Sequence, residues 1–118
     1  MNSTHHRHCL PELLLENVGG DREIFLQLAE ILARESVAIF DQIRVAAAKS
    51  DFEQLGRQSH SLKGTVGPFG ADELVNMLLQ IEDECDSKNC ICDERRLKII
   101  ANELNQVRTE LQQFIDDL

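Results

Sequence analysis

The residues best placed to do chemistry lie in Gln58-Ser59-His60-Ser61-Leu62-Lys63-Gly64. Around them Phe52, Leu55, Ser59, Leu62 and Val66 recur at spacings of three and four, which predicts a helix over about 52–66 with one buried stripe. At about 100° per residue, His60 falls roughly 120° from the middle of that stripe, on a flank open to water or a partner. Gly56, Gly64 and Gly67 fall within about 40° of His60, so the surface beside the imidazole is bare backbone. Arg57 and Lys63, three residues to either side, put positive charge around the ring. A glycine inside a helix costs roughly 1 kcal/mol relative to alanine. Two of them flank one histidine, at i−4 and i+4, as suits a surface that another body must approach closely. The pattern points to an exposed, nucleophilic imidazole that meets a flat partner, with cations ready for an anion. The competing reading is a solvated helix histidine among chance glycines.

The other residues capable of chemistry are four cysteines and an N-terminal histidine run. Cys85, Cys90 and Cys92 are close in sequence, and His5, His6 and His8 add further ligand types, so a Cys/His metal-binding bundle is one alternative function. The spacing C-x4-C-x-C lacks the C-x2-C knuckle of common zinc sites, and no metal site is assigned. Cys85 reads instead as a small core residue, and Cys90 and Cys92 as exposed loop thiols, reduced in a cytoplasmic protein. The chain has no Gly-rich phosphate loop or Walker motif and no acid cluster assignable to a metal, so no cofactor of its own is expected. The net charge of −9 argues against nucleic acid as a partner. No apolar run approaches the ~20 residues that span a bilayer, and no secretory signal is present, so the expected location is cytoplasmic.

The elements that must position His60 are helical. At 118 residues the chain suits one domain, and five Phe with no Trp or Tyr imply an aliphatic core. Residues 1–9 carry no pattern and read as a disordered start; Met1 and that start favour a freestanding protein. Pro11 opens a short helix with Leu10, Leu13, Leu14 and Val18 on its apolar face, ended by Gly19-Gly20. Asp21 caps a helix from about Arg22 to Lys49, whose inward stripe is Phe25, Leu28, Leu32, Ser36, Ile39, Ile43 and Ala46, widened by Ile24, Ile31 and Ala38. Ser50-Asp51-Phe52-Glu53 reads as a capping box that starts the His60 helix, and Pro68 ends that helix in a tight corner, Gly67-Pro68-Phe69-Gly70. A helix over about Ala71–Asp86 buries Leu74, Leu78, Ile81 and Cys85, with Val75 beside them; Ser87–Cys92 is a loop. A last helix, about Asp93–Asp117, carries a heptad-like seam of Leu97, Ile100, Leu104, Val107, Leu111, Phe114 and Leu118. The fold expected is all-α: an antiparallel up-down four-helix bundle with a short extra N-terminal helix. Short corner loops favour packing within one chain over a coiled-coil dimer, hence a monomer.

His60-Ser61-Leu62-Lys63-Gly64, followed by Phe69-Gly70-Ala71, Leu74 and Ile81-Glu82, resembles the signature of the histidine-containing phosphotransfer (HPt) domain. The resemblance covers residues 10–118. It implies that His60 accepts a phosphoryl group from an aspartyl-phosphate receiver domain and passes it to another receiver, or the reverse. An imidazole is a capable nucleophile near neutral pH, and phosphoryl transfer depends mostly on positioning and charge neutralisation. The resemblance further implies attack through Nε2 with the other ring nitrogen held by a neighbour. Lys63 is then the cation for the phosphoryl oxygens, and Gly64 keeps the approach clear. Glu82, where some relatives carry glutamine, is either the residue that orients the ring or a helix-surface glutamate. Arg57 is either a second phosphoryl or partner contact or an ordinary solvated cation. The implied partners are response-regulator receiver domains and a hybrid sensor histidine kinase, with Mg²⁺ on the receiver. The chain would be a relay intermediate, not a kinase. The rival from another class is a helical interaction module without chemistry. Ser59 departs from the commoner alanine of the family, and Pro68 stiffens the corner.

Overall fold

The computed structural model describes residues 6–118. Among these the chain is all helical: α1 (Pro11–Asn17), α2 (Arg22–Ala48), α3 (Phe52–Val66), α4 (Asp72–Asp86) and α5 (Glu94–Asp116), with a 3₁₀ turn (Gly67–Phe69) between α3 and α4. The four long helices form the expected bundle, and α1 lies across the 3₁₀ turn and one end of α2. The pairs α3–α4 and α2–α3 pack most extensively. The core is aliphatic, with Leu32, Ile43, Leu55, Leu62, Leu74, Leu78, Ile81, Ile100 and Val107 sealed from solvent around Phe25.

Each start and stop has a local cause. Asp21, Asp51 and Asp93 accept hydrogen bonds from the backbone N–H of Ile24, Gln54 and Arg96, capping α2, α3 and α5. The capping box read at Ser50 is therefore displaced by one residue. Ser50 stands in the left-handed region, at φ 50°, because it closes α2: its N–H bonds Ala47 O, and the N–H of Asp51 bonds Ala46 O. Lys88, at φ 55°, does the same after α4, with bonds to Cys85 O from its own N–H and to Glu84 O from Asn89 N–H. Gly19 and Gly20 close α1 by the same pair of bonds, to Glu16 O and Leu15 O.

Several sequence expectations are corrected. Along α2 the buried stripe includes Ala29 and Phe40, whereas Ile24, Ile31 and Ala38 are exposed. Ile24, Ile31 and Ala38 lie about 100° or more around α2 from Phe25, Leu32 and Ile43, past one edge of the buried sector, and Leu26 and Ala33 are exposed past the other. Leu13 on α1 is likewise exposed. Cys90 is buried, because the loop after α4 folds back over the core. Arg96 ties it down with two bonds to the Glu84 carboxylate, 2.7 and 3.0 Å, and one to Ile91 O. The disordered start does not extend to residues 6–9, and residues 1–5 lie outside the described residues. Cys9 is 1% exposed, Glu110 accepts from the N–H of His8 and of Cys9, and His8 Nδ1 lies 2.8 Å from Glu103 Oε2. Leu10 N–H then bonds Phe69 O, and a Cβ on Gly70 would stand 2.9 Å from Leu10 Cβ. Gly70, at φ 71°, lets the N-terminal segment pass against the corner.

Candidate functional site

α3 carries its apolar stripe inward against α2 and α4, which leaves His60 on the outer flank. Its side chain is 71% exposed and reaches across to α4, where Nδ1 lies 2.9 Å from Glu82 Oε2. Residue 82 follows the buried Ile81 by one position, so its own position is the shoulder of α4 that faces α3. Glu82 is only 18% exposed, and Lys63 Nζ stands 2.6 Å from its other oxygen, bent away from good hydrogen-bond geometry. Burial acts to raise the Glu82 pKa, but the contacts with Lys63 and then His60 outweigh it and hold the carboxyl below its ordinary range. One half-buried carboxylate thus binds two side chains from successive turns of α3.

The predicted residues divide into three groups. His60, Lys63 and Glu82 are brought together. Arg57 is exposed and makes no ion pair with any described residue, so it is the free cation on the His60 flank; Lys63 has spent its charge on Glu82. The positive patch expected around the ring is accordingly weaker than the residue types imply. The glycines separate. A Cβ on Gly64 would meet nothing within 4 Å, as an open approach requires. A Cβ on Gly56 would press to 3.3 Å on Cys85 Cβ, and one on Gly67 would stand 3.9 Å from Val75 Cγ2. Gly56 therefore serves the close packing of α3 on α4, whereas a Cβ at Gly67 would make only ordinary van der Waals contact.

The cysteines form no comparable site. Burial pushes the Cys85 thiol up to about 12 and that of Cys92 up to about 11; Cys85 and Cys90 touch, but among the described residues no third thiol or histidine joins them on a common point. Sequence reading missed the residues that anchor the N-terminal segment. The signal was Glu103, a carboxylate on the inward face of α5 between Ile100 and Leu104; a buried acid needs a partner, here His8.

The family model for the Hpt domain matches residues 27–117. The chain belongs to the Hpt family. Proteins of this family are phosphotransfer intermediates of phosphorelays, not kinases, and they interact with receiver domains and kinases. The match begins within α2, so α1 and the segment before it lie outside the shared core. The crystal structure of histidine-containing phosphotransfer protein B (HptB) from Pseudomonas aeruginosa PAO1 superimposes with a TM-score of 0.84 at 17% identity, over 97% of this chain and 99% of that one. At that identity the likeness speaks for the fold, α1 included. No curated protein sequence matches the chain. None of the described helices is long and apolar enough to cross a membrane.

Proposed function

We propose that His60 is the phosphoryl acceptor of this Hpt domain and that Glu82 selects the nitrogen that reacts. The observation that carries this is the 2.9 Å contact between Nδ1 and a Glu82 oxygen on a ring otherwise open to solvent. A carboxylate only accepts, so the proton stays on Nδ1 and the lone pair on Nε2. Nε2 attacks the phosphorus of an aspartyl phosphate on a receiver domain. The Nε2–P bond forms as the bond from phosphorus to the aspartyl oxygen breaks, and that carboxylate leaves with the electron pair. Positive charge gathers on the ring during the attack, and the Glu82 carboxylate at Nδ1 opposes it. The reverse sequence hands the phosphoryl to an aspartate of a second receiver.

Glu82 also sets a negative charge beside a site that must accept phosphoryl oxygens. Lys63 offsets that charge, and one turn from His60 its flexible ammonium serves the oxygens as a point charge. Gly64 admits the receiver's surface, and Arg57 meets the acidic rim of its active site. The receivers belong to response regulators and to a hybrid sensor kinase; they bring Mg²⁺, and the Hpt domain supplies no cofactor. The exchange takes place in the cytoplasm, with this chain as a monomer.

The test is incubation of the full chain with a phosphorylated receiver domain. The wild type gains acid-labile phosphate and His60→Gln gains none. Phosphate retained by the His60→Gln protein overturns the assignment.

A further inference from the structure

We infer that the N-terminal segment forms a binding site for a divalent cation of the zinc type, built from His6, His8 and Glu73 and separate from the phosphotransfer face. One ligand atom from each of these residues lies within 4.8 Å of the others. The two imidazoles stand edge to face with centroids 4.7 Å apart, and His6 Nε2 is 2.6 Å from Glu73 Oε1. A tetrahedral zinc with bonds of about 2.0–2.1 Å holds its ligand atoms roughly 3.3 Å apart, a spacing these distances bracket. Small side-chain rotations of exposed residues reach it. Two imidazoles and one carboxylate, with a fourth position left for water, make a donor set suited to zinc.

A second feature distinguishes this group from surface ion pairs. Glu103, buried on α5, takes His8 Nδ1 at 2.8 Å. That contact fixes the ring and leaves Nε2 as the nitrogen for an ion, the carboxylate–histidine–metal relation that second-shell acids provide. The backbone of the segment is fixed as well, since the N–H groups of His8 and Cys9 both bond Glu110. The ligands are therefore presented by a held strap, not by a loose histidine run. A bound ion would tie that strap to the first turn of α4. Glu82 lies nine residues further along the same helix, about 13 Å at 1.5 Å per residue, so the two sites do not share atoms.

The experiment uses the full, untagged chain, stripped with chelator and titrated with Zn²⁺ by calorimetry at neutral pH, with Co²⁺ as a spectroscopic probe. One equivalent of Zn²⁺ binds. Glu73→Gln, which alters an exposed side chain and leaves the core intact, weakens binding at least tenfold, and Glu103→Gln weakens it about 10–100-fold by freeing the His8 ring. His60→Gln leaves binding unchanged, and Co²⁺ gives d–d bands without a thiolate charge-transfer band. Absence of one-equivalent binding overturns the site. So does equal affinity in the wild type, Glu73→Gln and Glu103→Gln, which would place the ion on an unstructured histidine run. A thiolate band would place it on the cysteines and overturn it too.

Discussion

At the scale of single residues Glu82 is decisive, since it holds both His60 and Lys63. Its folded-state pKa lies below the ordinary value, so it contributes stability that is present above the unfolded pKa, near 4.5, and is lost as the pH falls through the lower folded value. Denaturant unfolding of the wild type and of Glu82→Gln should show a gap that is constant from pH 7 to about 5.5 and closes in stronger acid. A gap that widens in acid would contradict the assignment. The same substitution replaces an acceptor-only group by an amide, which can also donate, so His60 loses its tautomer bias and transfer from a receiver should slow. Gly64 gives the opposite signs for stability and activity. Open space around its Cβ means that Gly64→Ala should raise stability by roughly 0.5–1 kcal/mol while slowing transfer, measured by denaturant unfolding and by receiver kinetics. His60 and Lys63 were legible from helical spacing together with the motif. That Lys63 would pair with Glu82 was not, because the pairing depends on how α4 is rotated against α3.

At the scale of elements, legibility followed the chemistry of the ends. The close of α1 could be read because glycine occupies its left-handed position. The closes of α2 and α4 were placed to within a residue, at Lys49 and Asp86, but their cause was hidden, because Ser50 and Lys88 hold the left-handed conformation without glycine's freedom. The misplaced capping box has the same origin: with Ser50 committed to ending α2, the cap of α3 falls to Asp51. Relief of that strain is measurable. Ser50→Gly and Lys88→Gly should each stabilise the fold by about 1 kcal/mol in denaturant unfolding, and a loss of stability would show that neither backbone is strained. The seam of α5 was readable along its length because, Ile99 apart, its large apolar residues face the bundle. The stripe of α2 was read too wide, since apolar residues continue onto both flanks of the helix and spacing alone does not declare where burial stops.

At the scale of the molecule, the N-terminal segment joins the bundle and the His60 face lies apart from it. Removing residues 1–9 strips the partner from buried Glu103 and opens the place of Cys9. The truncated chain should lose about 2 kcal/mol or more of stability by thermal or denaturant unfolding, whereas a disordered start would cost nothing. His60 and Glu82 sit on α3 and α4, the most extensively packed pair, which is why a ring so exposed can still be held in one orientation. That orientation is the central claim, and one measurement addresses it directly. The full chain, labelled with ¹⁵N at histidine, is phosphorylated by a receiver domain, and the nitrogen bonded to phosphorus is identified by ³¹P–¹⁵N correlation. The expected bond is at Nε2 of His60, with the proton retained on Nδ1 beside Glu82. A phosphorus on Nδ1, or on any residue other than His60, would contradict it.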